Sequence, residues 1–318
     1  MFVSIFDTSI TDNNLGNEII MDAVYKQLRS IFGTYFFIKL PYLDSIGGQS
    51  IEYIKHSDYI FLGGTNALTA EMETYRQWGI TKHNYFHVKN VTLMGVGWWQ
   101  YQGRISKYTA KILKHVLHNE IMHSVRDSYT ESKLNEIGIT NVINTSCPTM
   151  WKLNEDHCAL IPEGKADAAL ITLTNYSQDF NKDAEIMNII EKNYDTIYAW
   201  IQGPEDYQYI KKICGKAIII PPSLEALDKL LASPITIDYI GTRLHAGIRA
   251  LQAKRRTIII AIDNRAIEKQ KDFNLVVINR DNLDHLQELI AGSFKTKIII
   301  PHDNINRWKN QFNLNSYV

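Results

Sequence analysis

Arg243 and His245 stand two residues apart, just after the glycine that ends a β-branched, aromatic run, within ITIDYIGTRLHAGIRALQAKRRTIIIAI, residues 235–262. The window reads as strand, tight turn, helix, strand. Gly241-Thr242 punctuates ITIDYI, and Leu244, Ile248 and Leu251 then recur at helical spacing, so a helix is expected to begin near Thr242. Arg249 follows His245 by four residues, which places both on the face opposite the leucines and predicts a cationic polar face. A helix N-terminus already offers free backbone N–H groups and the positive end of a dipole; arginine and histidine added there describe an anion site. A small phosphorylated or carboxylated ligand suits it best. The same residues admit a structural reading, in which Arg243 pairs with Asp238 and His245 caps a core helix.

The elements that position these residues follow from the rest of the chain. At 318 residues, the sequence exceeds the usual size of a single core, so two domains are expected. Its 45% hydrophobic and 21% charged residues belong to a globular protein. The 34 basic and 34 acidic residues cancel, so nothing global favours nucleic acid or anionic membrane, and an anion site must be local. FVSIFDTS after Met1 lacks the basic region and cleavage site of a signal peptide and reads as a first strand, and no apolar run is long enough to span a bilayer. A cytoplasmic protein is expected. Cys147, Cys158 and Cys214 are scattered and read as reduced and buried.

After FVSIF comes a polar loop, DTSITDNNLGNE, and then IIMDAVYKQLRSIF at helical spacing. Apolar strands recur at YIFLGG, VTLMGVG, IMHSVR and NVINTS, with helices expected near 65–79, 104–118 and 127–138. Such alternation implies a parallel sheet covered by helices. Residues 151–167 break it, and the domain boundary is placed there, giving domains 1–160 and 161–318. A second alternation follows, with strands AALITLT, TIYAWI, AIII, ITIDYI, TIIIAI and LVVI between helices such as KDAEIMNIIEKN, PEDYQYIKKI and SLEALDKLLAS. NINRWKNQFNLNSYV reads as a helix with a polar tail that packs back on the first domain. The fold class expected is α/β, two Rossmann-like domains with parallel sheets facing a central cleft.

Ligands of open parallel sheets bind beyond the carboxyl ends of the strands. Glycine loops cluster at those ends: Asn14-Leu15-Gly16-Asn17, Gly63-Gly64-Thr65-Asn66, Gly95-Val96-Gly97 followed by Trp98, and Gly241-Thr242. Each could meet a ligand, although a turn needs glycine equally often. None has the spacing of a dinucleotide or Walker fingerprint, so neither a nicotinamide cofactor nor ATP is indicated.

In their order, NLGN, FLGGTNAL, MGVG, SVRDSYTESKL and GTRLHAGIRAL resemble the polysaccharide pyruvyl transferases over nearly the whole chain. The most specific element is Arg243-Leu244-His245 after a strand, supported by Val125-Arg126-Asp127 and Gly63-Gly64. The resemblance implies two Rossmann-like halves arranged as in the GT-B glycosyltransferases. It also implies transfer of the enolpyruvyl group of phosphoenolpyruvate to a sugar or glycolipid acceptor as a ketal, with no metal and no cofactor beyond the donor substrate. Donor binding is then carried over to Gly241, Thr242, Arg243, Leu244 and His245, with Arg126 from the first domain. Arg265 stands where the family has a lysine; Asn17 and Cys147 also depart from its pattern.

Phosphoenolpyruvate carries a carboxylate and a phosphate, and its methylene carbon must take a proton as a sugar hydroxyl attacks. Arginine binds either anion through a fork of hydrogen bonds, so Arg243 and Arg126 are assigned to the donor and His245 to proton donation. Arg126 could instead pair with Asp127 or Glu131. Trp98 and Trp99 could stack on a sugar ring, or only pack. His115, His118 and His123 read as a solvated helix face, not as metal ligands. Glu71, Glu73, Asp179 and Asp183 read as surface or cap residues. Two other functions remain: a glycosyltransferase using a nucleotide sugar, and a non-catalytic protein that binds a sugar or anion. Oligomerisation stays open.

Overall fold

The β-branched runs become strands, and every neighbouring pair of them is parallel, in the computed structural model, which describes residues 1–312. The chain forms two compact units, Met1–Asp12 with Ile20–Trp151 and Ile300 onward, and Asn13–Ile19 with Lys152–Ile299.

The first unit is built from β1 (Phe2–Asp7), most of α1 (Leu15–Ile31), β2 (Phe36–Pro41), α2 (Gly48–His56), β3 (Tyr59–Gly63), β4 (Val91–Met94), α3 (Lys107–Val116), β5 (His123–Val125), α4 (Ser128–Glu136) and β6 (Val142–Asn144). Four strands pair in the order β2-β1-β3-β4, β5 pairs with β6, and the Val96–Val125 bridge continues the ladder from the β4 end to β5. The order reverses between β1 and β3, so the loops leaving these two strands flank a switch point.

The second unit follows with α5 (Glu155–Cys158), β7 (Ala168–Thr172), α6 (Phe180–Asn193), β8 (Thr196–Trp200), α7 (Asp206–Ile213), β9 (Ile218–Ile220), α8 (Leu224–Leu231), β10 (Ile237–Gly241), α9 (Leu244–Gln252), β11 (Thr257–Ala261), α10 (Asn264–Phe273), β12 (Val277–Asn279) and α11 (Leu286–Ala291). Its sheet order, β12-β11-β10-β7-β8-β9, is the doubly wound one, and it reverses between β7 and β10. β7 and β10 are buried at every position, as expected of central parallel strands. Residues 152–160, read above as first-domain sequence, group with this unit: the His157 ring nitrogen Nε2 lies 2.8 Å from the Leu251 carbonyl oxygen. The chain then rejoins the first unit through α12 (His302–Asn310), whose Trp308 packs edge-on against Phe61 and Trp151. The last part of the expected polar tail lies outside the described residues.

Local sequence signals set several helix starts. Ser106 accepts the Thr109 N–H and starts α3, Asp127 accepts the Thr130 N–H and starts α4, and Ser223 does the same for α8. Ser106→Ala should therefore lower stability by about 1 kcal/mol, read as a shifted urea midpoint with an unchanged slope.

Three expectations need correction. No helix occupies 65–79. Gly64 and Thr65 turn with φ of 56° and 64°, and the chain buries Ala67, Leu68, Met72 and Trp78 as irregular structure, so an apolar spacing that mimics a helix serves a packed loop. Between α1 and β3, where the sequence reading assigns no element, lie β2 and α2. The three histidines do not share a helix face: His115 is on α3, His118 follows it, and His123 is fully buried in β5. Burial pushes the His123 imidazole down to about 4, and it accepts from the Leu93 N–H.

Candidate functional site

At the switch point of the second unit, Thr172 ends β7 and Gly241 ends β10 directly beside it. A Cβ at Gly241 would lie 2.5 Å from the Thr172 hydroxyl, so glycine is what lets the two strand ends close up. Beyond them Thr174 and Thr242 share a hydroxyl hydrogen bond of 2.7 Å, and the Arg243 N–H donates to the Thr172 hydroxyl at 3.3 Å. The Tyr239 hydroxyl donates to the Arg243 carbonyl at 2.7 Å, and burial pushes that phenol above its ordinary range, which keeps it a neutral donor. These contacts hold Arg243 as the residue preceding α9, with no side chain capping the helix. The helix starts two residues later than expected, and its first N–H groups emerge at the strand ends.

Gly247 brings α9 against the sheet, since a Cβ there would meet Tyr239 at 2.8 Å and Ile259 at 2.9 Å. Leu244, His245, Ala246, Ile248, Ala250 and Leu251 are all buried. The solvated cationic face expected for this helix is therefore absent. A helix sandwiched in an α/β layer buries most of its circumference. Arg249 instead holds Asp228 of α8 through two hydrogen bonds, at 2.7 and 2.6 Å. His245, in the first turn of α9, is 7% exposed.

The partner proposed for Arg243 in the structural reading is also corrected. Asp238 instead holds Arg256 and Tyr194. Arg243 takes Asp206, donating from Nε at 3.1 Å and from Nη2 at 2.6 and 2.5 Å. Its Nη1 has no hydrogen-bond partner among the described residues and is not enclosed. The Tyr176 ring, 59% exposed, lies 4.9 Å from its guanidinium carbon. Arg265, at the β11 end, repeats the pattern: Nε donates to Asp263 at 3.0 Å, Nη2 donates to Asp263 and to the Tyr176 hydroxyl at 2.5 Å, and Nη1 has no partner among the described residues. Sequence reasoning missed Asp206 and Tyr176, because partners 37 and 89 residues from their arginines leave no spacing signal; it also missed Asp263, although a carboxylate two residues before Arg265 is a local signal that could have found it.

Asn14, Gly16 and Asn17, read as a polar loop, stand at the start of α1 and group with this second unit. The Asn14 side-chain oxygen accepts from the Gly16 N–H at 3.0 Å and from Gln202 Nε2 at 2.8 Å. A Cβ at Gly16 would come within 2.6 Å of Gln202, so the glycine serves this approach. Gln202, just beyond β8, keeps its side-chain oxygen buried and unpartnered.

In the first unit the carboxyl strand ends carry Arg126, buried and donating from Nε to Asp127 at 3.0 Å and from Nη2 to the Trp98 carbonyl at 3.2 Å. Burial would raise the Asp127 carboxyl, but Arg126 and the Thr130 N–H and hydroxyl outweigh it and hold it below the usual carboxylate range. The Arg126–Asp127 pair of the structural reading is thus present, and Nη1 again has no hydrogen-bond partner among the described residues. Gly97 is the seat of this guanidinium: a Cβ there would lie 2.0 Å from it. Gly63 and Gly64 admit α1, whose Val24 and Ile20 occupy the space their side chains would need, and Thr65 accepts the Gly97 N–H. Trp98 is wholly buried in the first unit's core, its indole N–H on Gln102, so it presents no ring face to a sugar; Trp99 packs on Tyr75. Asp183 is a cap and not a surface residue: fully buried, it accepts the Asp179 N–H at the start of α6 and the Tyr209 hydroxyl. The three cysteines are free and buried. Among the described residues no helix is long and apolar enough to cross a membrane.

Two parallel α/β units, each with an arginine held at the carboxyl strand ends, define a Rossmann-like protein. The chain belongs to the polysaccharide pyruvyl transferase family, whose model matches residues 14–264 and so spans most of it. No curated protein matches the sequence. Among solved structures it is similar to the S. aureus MnaA-UDP co-structure (12% identity, TM-score 0.48, covering 92% of this chain and 91% of that one). It is also similar to UDP-GlcNAc 2-epimerase from Neisseria meningitidis bound to UDP-GlcNAc (10% identity, TM-score 0.43, 98% and 94%) and to E. coli heptosyltransferase WaaC with ADP (12%, 0.40, 82% and 87%). These likenesses are of fold alone.

Proposed function

We propose that this protein transfers the enolpyruvyl group of phosphoenolpyruvate to a sugar of a surface polysaccharide or its glycolipid precursor, closing a ketal, in the cytoplasm. The observation that carries the reading is the unpartnered Nη1 of Arg243 beside the uncapped N-terminus of α9, at the switch point of the second unit. A guanidinium nitrogen and a fan of backbone N–H groups together suit a phosphate or carboxylate oxygen. In the reaction a sugar hydroxyl forms a bond to C2 of the donor while C3 takes a proton and becomes a methyl group. A second hydroxyl of the same sugar then attacks C2, the C2–O bond to phosphate breaks, and inorganic phosphate leaves; of the two hydroxyl protons released, one balances the proton that C3 took and the other leaves on the phosphate. His245 supplies the proton to C3, Arg243 with the α9 N–H groups donates hydrogen bonds to the donor anion, and Arg265 adds a second guanidinium donor at the β11 end.

A nucleotide-sugar donor is the competing reading, because a diphosphate also binds at a switch point. Thermal shift separates the two. Phosphoenolpyruvate should raise the melting temperature with a concentration dependence that reports its affinity, whereas a rise with uridine diphosphate alone would replace the pyruvyl donor by a nucleotide sugar. A rise with sugar alone would make the protein a binding module.

A further inference from the structure

We propose that Asp206 is the positioning residue of the anion site in the second unit: it grips Arg243 by its Nε–Nη2 edge, so that the ligand meets the guanidinium end-on through Nη1. The proposal rests on the anion-binding reading given above and adds the residue that shapes it.

Asp206 is 1% exposed and opens α7. Besides Arg243 it accepts the Asn175 N–H at 2.9 Å and the Gly203 N–H at 3.0 Å. One carboxylate thus ties together the segments leaving β7, β8 and β10. A Cβ at Gly203 would stand 3.0 Å from Arg243 Nη2, so the backbone there also closes on the occupied edge. Tyr176 covers one face of the guanidinium at 4.9 Å. With edge and face taken, Nη1 is the part left for a ligand. A ligand oxyanion then accepts one guanidinium hydrogen bond and finds its other donors in the α9 N-terminus, in place of the two-pronged grip that a free arginine would give. The buried charge of Arg243 is also neutralised before the ligand arrives, so orientation outweighs net charge in recognition.

The test turns on a sign. Removing a carboxylate near an anion strengthens binding by Coulomb's law, whereas losing the orientation of Arg243 weakens it. Asp206→Asn keeps an acceptor for Asn175 and Gly203 but turns an amide N–H₂ toward Arg243 or leaves it unheld. Calorimetry with phosphoenolpyruvate should show binding weakened about tenfold or more in Asp206→Asn. In an Arg243→Lys background the same change should no longer weaken binding, and by releasing the ammonium it leaves affinity unchanged or tighter, because the loss in the single variant runs through the orientation of the guanidinium. Unchanged or tighter binding in the single variant, or equal loss in both backgrounds, overturns the proposal. If wild-type protein binds uridine diphosphate and not phosphoenolpyruvate, the donor reading falls while the same cycle, read with uridine diphosphate, still decides the role of Asp206. Binding of neither removes the anion site and this role with it. Should Asp206→Asn fail to fold, the wild-type protein suffices. The Arg243 Nε–H resonance should exchange slowly with water and stay so when ligand is added; rapid exchange means that no clamp exists.

Discussion

His245→Gln is expected to lower turnover by roughly 10²–10⁴ while donor affinity changes little, because glutamine keeps a hydrogen-bond donor but cannot deliver a proton to carbon. A group that acts in the transition state shows its loss in kcat, whereas one that holds the ground state shows it in KM as well. His245 suits the first role. It stands in the first turn of α9, next in sequence to Arg243-Leu244 and nearly buried, where an anion bound at the helix start favours the protonated ring. The acid must begin protonated, so wild-type turnover should fall as pH rises, and the glutamine variant should lose that alkaline limb. Steady-state rates across pH, alongside donor affinity from calorimetry, check both halves. Near-normal turnover in the variant, or an alkaline limb that persists unaltered, would leave His245 a structural residue.

Arg243→Lys is expected to weaken phosphoenolpyruvate binding by about 1.5–3 kcal/mol, the scale of one charged hydrogen bond and roughly a ten- to hundredfold change in Kd. The structure gives the reason a lysine fails. Asp206 would capture the single ammonium, and nothing equivalent to Nη1 would remain for the ligand. The same capture preserves the buried pair, so the variant should stay folded; removing the cation outright would strand Asp206, at a cost of about 3–5 kcal/mol. Unchanged affinity in a folded Arg243→Lys protein removes Arg243 from the site.

The periodicities of the chain were enough to state that strands and helices alternate, that the strands are parallel and that arginines stand where strands give way to helices. β7 and β11 are nearly continuous apolar runs, and β10 is one interrupted by Asp238, because both faces of a parallel strand are covered, and that burial is written into composition. Arg243, His245, Arg126 and Arg265 were legible for a related reason: each lies within four residues of the end of such a run, a local relation. Tertiary structure alone decided what each of them does there. Asp206 reaches Arg243 from another strand end, and Tyr176 joins Arg243 to Arg265 from a third. Only the sheet order, which sets β7 beside β10, brings those ends together. Trp98 shows the same limit from the other side, since a tryptophan after a glycine strand end could stack on a sugar ring or only pack, and the closed core around it decides for packing. Periodicity reports how a residue faces its own element; which side chain from a distant element meets it depends on loop paths and strand order, and these leave no local trace in sequence.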